Sequence, residues 1–240
     1  MKDDVDGLER TLDSVRIQTK FSQIEYIVKS YGSLDVRKLL ETYDDENLIY
    51  TEIQDSGIYD AMNQGLAFSN SEIIGFLHAG DVFANENVLT DILNFFANGD
   101  YSLVYGNLWF SSIHHGNRLI RRWDAGNFTQ RDLDLGWMPP HPTVYFRREL
   151  LETCGEFDSK YHISADYKWL LTALKKSKNV GYLNQCLVIM ADGGTSNKNF
   201  KARFSALHED YKVLTELGFR YPYVTVFVKR LRKIIQFFYG

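Results

Sequence analysis

The sequence predicts an α/β fold: a mixed, mainly parallel sheet with flanking helices, followed by a C-terminal helical tail. Three observations carry that expectation. Apolar residues switch between helical and strand spacing three times before residue 80. Connections of helix length between short strands require parallel neighbours, and so helices on the sheet faces. From residue 200 onward only helical spacing remains.

Taken in order, Leu8, Leu12 and Val15 share one face of a helix over 7–17, with Asp6 and Glu9 spaced as a capping pair. A strand follows at 24–28, a helix marked by Val36, Leu39, Leu40 and Tyr43, and a strand at 48–53. Ile58, Ala61, Met62, Gly65 and Leu66 mark the third helix, and 72–77 the third strand. The rhythm then changes. A helix is expected at 88–96 and a strand at 101–110, and a turn at His114–Asn117 leads back into 118–123 as a hairpin. Three of the four prolines fall at 139–142, before a strand at 143–146, a helix at 165–176 and a strand at 180–190. Residues 1–200 read as one domain and 201–240 as a helical tail, with Phe204, Leu207, Tyr211 and Leu214 at helical spacing.

Composition narrows the function. The 240 residues carry 27 basic and 31 acidic side chains, a formal charge of -4, which argues against an electrostatic nucleic-acid binder. Hydrophobic residues at 45% are enough for a core, yet no uncharged apolar run is long enough to span a bilayer. The acidic start MKDDVDGLER is unlike a signal peptide, and two cysteines make no disulfide framework, so a cytoplasmic setting is expected. No G-x-G-x-x-G or P-loop follows a strand, which disfavours a dehydrogenase or a P-loop NTPase.

In a parallel sheet, ligands bind beyond the carboxyl ends of the strands. The turns there are Ser30–Asp35, Glu52–Gly57 and His78–Asp81, each holding glycine and a carboxylate. Any one of them is ordinary turn chemistry; three along one edge suggest a site.

The runs Asp55-Ser-Gly-Ile-Tyr-Asp-Ala-Met-Asn-Gln-Gly65 and Ser71-Glu-Ile-Ile-Gly-Phe-Leu-His-Ala-Gly-Asp81 resemble family 2 glycosyltransferases of the GT-A, Rossmann-like fold, in the branch that builds bacterial surface polysaccharides. Gly7–Leu12, Tyr105-Gly-Asn107, His141–Arg147, Ile163–Trp169 and Gly193–Ser196 extend the likeness over about residues 7–200. The resemblance implies transfer of a sugar from a nucleotide donor, UDP-linked, to a lipid-linked glycan at the inner face of a bacterial membrane. It implies donor contacts at Asp35, Asp55, Asn63 and Asp81, with Asp81 also the ligand of a divalent cation, Mg²⁺ or Mn²⁺. A leaving diphosphate concentrates negative charge, and hard oxygen ligands suit such ions. Asp166, at the start of a helix, reads either as a capping carboxylate or as the family's general base, which an inverting displacement needs on the acceptor side. Trp137, His141, His162 and Tyr167 are candidates for acceptor or phosphate contacts, and each fits a structural role as well.

Two departures from the family pattern stand out. Relatives open with a strand and a nucleotide-binding loop upstream of the first helix, so this sheet should be short of one strand. Serine stands at position 30, and His78 and Gly80 where some relatives carry metal-binding acids. A non-catalytic nucleotide-sugar-binding or scaffold protein of the same fold is therefore the alternative. In the tail, Val224, Phe227, Val228, Leu231, Ile234, Ile235 and Phe238 share one helical face, and Lys229, Arg230, Arg232 and Lys233 add only positive charge. That pattern suits an anionic membrane surface, against an ordinary helix packed on the domain.

Overall fold

The computed structural model describes residues 4–112, 118–191 and 200–235, with backbone alone at 200–203 and 233–235. Helix α1 (Val5–Arg16) begins at Asp4, whose carboxylate accepts from Gly7 N at 2.9 Å. The cap thus lies two residues before the expected Asp6, which sits in the first turn and favours the helix dipole instead. Next come β1 (Tyr26–Lys29), α2 (Leu34–Glu41), β2 (Leu48–Thr51), α3 (Ile58–Phe68) and β3 (Ile73–Gly75), as the periodicity predicts. The second half runs β4 (Val82–Phe83), α4 (Val88–Ala97), β5 (Leu103–Ser112), β6 (Arg118–Trp123), α5 (Gln130–Asp134), β7 (Tyr145–Arg147), α6 (Glu149–Cys154), α7 (Ala165–Lys176), β8 (Val180–Ala191), α8 (Phe200–Glu216) and α9 (Pro222–Ile235). The His114–Asn117 turn and the Gly193–Ser196 run lie outside the described residues.

The sheet is mixed, as expected, but not mainly parallel. Strands β1 and β2 pair in parallel as a sheet of their own, with Tyr26 opposite Leu48. The second sheet has the order β3-β7-β5-β8-β4, with β6 on β5, and only β5–β8 is parallel. The departure lies after residue 80: β6 follows β5 after too few residues for a helical crossover and pairs back on it, while β4 runs against β8, and β7 against both β3 and β5. Strands β1 and β3 do not pair, so the described strands fall into two sheets.

Alternation along β5 separates two cores. Leu103 and Tyr105 face the cluster built on α7, whereas Val104 and Leu108 face that built on α4. Helix α7 buries Ala165, Tyr167, Trp169, Leu170, Leu171, Ala173 and Leu174, none more than 3% exposed.

The tail is not an appendage. Val213, Leu214, Phe219 and Val226 belong to the same core cluster as α7. Helix α9 lies so close to the turn after α5 that a Cβ on Gly136 would stand 2.6 Å from Thr225 O and 2.7 Å from Lys229 N. Gly136 also has φ +66°, a region that disfavours other residues. Gly136→Ala should therefore cost about 1–3 kcal/mol and lower Tm by roughly 2–4 °C per kcal/mol. Hydrogen exchange should quicken first in α9; a variant as stable as the parent would show that α9 is not seated on this turn.

Candidate active site

The carboxyl ends of β1 and β2 bring two of the expected donor residues to one edge. Lys29, the last residue of β1, pairs with Asp55 at 3.1 Å and also bonds Ile53 O, tying the two strand ends together. Asp55 in turn accepts from Gly57 N at 3.2 Å, where α3 begins. Asp35 stands in the first turn of α2 behind the Ser33 cap, with its carboxylate exposed and only Lys38 near it, at 3.9 Å.

The turn after β3 is held by its main chain and leaves its acid unsatisfied. Asp81 N donates to His78 O at 2.9 Å, and Thr11 of α1 lies with Oγ1 2.8 Å from Asp81 O and 3.0 Å from Gly80 N. Gly80 makes the turn possible, since φ is +97° there. Asp81 is 5% exposed, and its Oδ2 is buried with no hydrogen-bond partner among the described residues. Burial raises its pKa to about 7. Among the described residues no three His, Cys, Asp or Glu side chains gather into a metal cage. A lone carboxylate with an orphaned oxygen still fits a divalent cation whose remaining ligands are donor phosphates and water.

Beside this turn lies a stack of rings. His78 and His141 are 6.0 Å apart at 22°, and His141 also stacks on Phe76 at 5.9 Å. Burial lowers the pKa of His78 to about 4 and also that of His141, although the Asp166 carboxylate opposes this at both. Both are therefore neutral at pH 7, and His141 can meet a phosphate only through a neutral N–H.

Asp166, in the first turn of α7, is near enough to act electrostatically on both imidazoles. Its Oδ1 accepts from Tyr59 Oη at 3.0 Å and Tyr167 N at 2.7 Å, and no described donor reaches Oδ2. The Tyr59 hydroxyl also lies 2.6 Å from Ile163 O. Burial and the nearby Asp166 push the Tyr59 pKa far up, so it stays a phenol and a donor.

Three expected site residues have other work. Asn63 engages the Phe157 main chain at both ends, giving Nδ2 to Phe157 O and accepting from Phe157 N, each at 2.9 Å, so it braces the loop before α7 rather than facing a donor. Trp137 is buried, donates to Ala125 O and packs on Phe128 and Tyr105, so it offers no sugar platform. Tyr167 is buried beneath Lys229, whose Nζ is 3.2 Å from the ring centroid. His162 alone of that group is exposed, two residues before Ser164, the N-cap residue of α7. Sequence reasoning did not single out Tyr59, although it sits within the quoted Ile-Tyr-Asp-Ala-Met-Asn run. Nor did it find Glu209 and Asp210, whose only signal is an acidic pair on a helix.

The raised Asp81 pKa has a definite sign. Protonation favours the fold here, so this contribution is complete below the ordinary carboxylate pKa and is lost as pH rises towards 7. Asp81→Asn should match the parent near pH 4 and become progressively more stable than it as pH rises towards 7. Denaturant unfolding without added metal would measure this, and a pH-independent difference would contradict the assigned burial.

Comparisons with known proteins bear on this geometry. The family model "Glycosyl transferase family 2" matches residues 3–155. An uncharacterized glycosyltransferase of Mycobacterium tuberculosis is 30% identical over 223 residues, covering 92% of this chain and 82% of the relative. A PGL/p-HBAD biosynthesis glycosyltransferase of Mycobacterium bovis is 28% identical over 236 residues, covering 95% and 87%. Among solved structures, S. aureus TarS 1–349 superposes with TM-score 0.68 at 15% identity, over 90% of this chain and 63% of TarS. TarS 1–349 has also been solved with UDP-GlcNAc. The mannosyltransferase PcManGT of Pyrobaculum calidifontis, solved with GDP-Man and Mn²⁺, superposes with TM-score 0.65 at 15% identity, over 95% and 66%. The mixed sheet with flanking helices is the GT-A architecture of these neighbours. The chain belongs to glycosyl transferase family 2 and is a glycosyltransferase.

Proposed function

We propose that the enzyme transfers a sugar, with inversion, from a UDP-linked donor to a lipid-linked glycan at the cytoplasmic face of a bacterial inner membrane. The observation that carries this reading is the Asp166 carboxylate. Tyr59 and the Tyr167 N–H hold one oxygen and leave the other to accept a proton. Asp166 takes that proton from the acceptor hydroxyl as its oxygen bonds to the anomeric carbon and the bond to the diphosphate breaks. Asp55 and Asp35 mark the nucleotide side of the edge, and exposed His162 the acceptor side. A divalent cation held by Asp81 and the donor diphosphate would neutralise charge on the leaving group. The TarS complex with UDP-GlcNAc supports a UDP donor, and the PcManGT complex makes GDP-mannose the rival to test.

The membrane part of the reading rests on α9. Its exposed face carries Tyr223 (73%), Val224 (56%), Phe227 (63%) and Leu231 (43%), an apolar stripe with Arg232 beside it. Lys229 is not part of the basic face that the sequence suggests. It turns inward to Asp210 at 2.9 Å, with 20% of its side chain exposed. No described helix is long and apolar enough to cross a membrane.

Nucleotide release from UDP-GlcNAc, UDP-glucose and GDP-mannose tests the chemistry. Asp166→Asn should lower kcat by at least a hundredfold with UDP binding within about twofold, because a base acts in the transition state. Asp81→Asn should weaken Mn²⁺-dependent UDP binding as well as kcat. Near-normal kcat in Asp166→Asn would remove the base assignment. For the tail, binding to phosphatidylglycerol vesicles should weaken in Phe227→Ser/Leu231→Ser even at low salt. Arg232→Gln/Lys233→Gln should cost about 1 kcal/mol per charge, a loss that added salt erases. Equal binding by the parent and both variants would remove the membrane assignment.

A further inference from the structure

Helix α7 begins without a local cap. Its N-cap residue, Ser164, makes no side-chain cap bond and gives its hydroxyl to Asp210 at 2.8 Å. The main-chain donors of the preceding turn converge instead on Glu209 of α8. Its carboxylate accepts from Ile163 N and Ser164 N, each at 2.9 Å, and from His162 N at 3.3 Å. The neighbouring Asp210 is 3% exposed and joins Ser164 to Lys229 of α9. On the other side of the turn, Tyr59 Oη lies between Ile163 O and Asp166 Oδ1. The turn that carries Asp166 is thus held from α8 through its N–H groups and from α3 by the single Tyr59 proton, for which Ile163 O and Asp166 Oδ1 are alternative acceptors.

We infer that Glu209 is a positioning residue for transfer: it fixes the 162–164 turn and thereby aims the Asp166 carboxylate. A carboxylate taking several main-chain N–H groups makes strong, charge-assisted bonds. Loss of the three acceptor contacts frees the turn to slide, and Ile163 O moves with it. The Tyr59 hydroxyl then follows either Ile163 O or Asp166, so the base loses its fixed direction. Displacement of a reacting group by about 1 Å costs about a hundredfold in rate. The donor edge at Asp55 and Asp81 shares no bond with Glu209, so nucleotide affinity should not respond.

The inference rests on Asp166 being the base, and the experiment separates the two. With nucleotide release from the best of UDP-GlcNAc, UDP-glucose and GDP-mannose as readout, well below Tm, Glu209→Ala should lower kcat ten- to a hundredfold with donor KM within twofold. Amide exchange at 162–164 should speed up in the same variant. Glu209→Gln keeps one carbonyl acceptor at the Ile163 and Ser164 amides and should recover most of the rate. In an Asp166→Asn background, Glu209→Ala should cause no further loss. Parental kcat in Glu209→Ala, a KM rise matching the kcat loss, or an equal further loss in the Asp166→Asn background would each overturn the positioning role and leave the base assignment standing. Near-normal kcat in Asp166→Asn, or no turnover of any of the three donors by the parent, would overturn both.

Discussion

The burial of α7 is the constraint on which the site depends. Seven of its side chains lie in the main core, so the helix can neither rotate nor shift along its axis without opening cavities. Its first turn therefore arrives at a fixed place, with unsatisfied main-chain N–H groups that must find acceptors. An ordinary N-cap serine would meet that demand locally. Here the serine hydroxyl is drawn off to Asp210, and the demand is met by the Asp166 carboxylate at Tyr167 N and by Glu209 at the turn before it. The same shortage of acceptors that would destabilise a helix end thus ties the Asp166 carboxylate to the start of α7.

Two carboxylates near the His78–His141 stack stand in opposite circumstances. Asp166 is bonded through one oxygen and is held by a phenol and a main-chain amide. Asp81 has its main chain tethered to α1 while its Oδ2 is buried with no donor among the described residues, and burial raises its pKa to about 7. An acid left unsatisfied in a buried turn destabilises the apo fold unless protonated, and a cation or an incoming proton relieves it. The neutral imidazoles of His78 and His141 add no positive charge that could do so. One acid is already supplied with partners and the other still lacks one, which fits a division between proton acceptance and binding of a charged donor.

Much of this was legible in the sequence because periodicity reports which residues share a face. Helix α7 has the bounds its pattern predicts, and the strands through β3 lie within a residue or two of theirs. Strand β4, with two residues, and α5, with five, are too short to display a period. Sheet direction failed for a different reason. Spacing identifies a strand but not its neighbour, and β7 enters between β3 and β5 from a loop. In the candidate site, the motif runs singled out Asp166, Asp81 and Asp55, whose residue types follow from charge chemistry. They could not separate Trp137 and Tyr167 of the core from sugar platforms, because burial and stacking select the same aromatic side chains. Glu209 lies more than forty residues from the turn it holds, and nothing local marks such a partner.

Helix α9 turns the usual arrangement of an amphipathic helix around. Its inner face meets the domain through Thr225, Val226 and Lys229, with Thr225 giving its hydroxyl to Asp134 O at 2.9 Å. Phe227 and Leu231 point outward. A fold built for its own stability would bury the phenylalanine and leave the lysine in water, since moving apolar area out of contact with solvent is what stabilises a packed helix. Lys229 is accommodated only because Asp210 pairs with it and the Tyr167 ring lies under it, while burial holds its pKa below the ordinary lysine value. Lys229 on the inner face thus belongs to the network at the start of α7, while the apolar outer face stays exposed. Because a helix is stiff along its length, the two faces cannot move independently. Lys229 is joined through Asp210 to Ser164, two residues from Asp166.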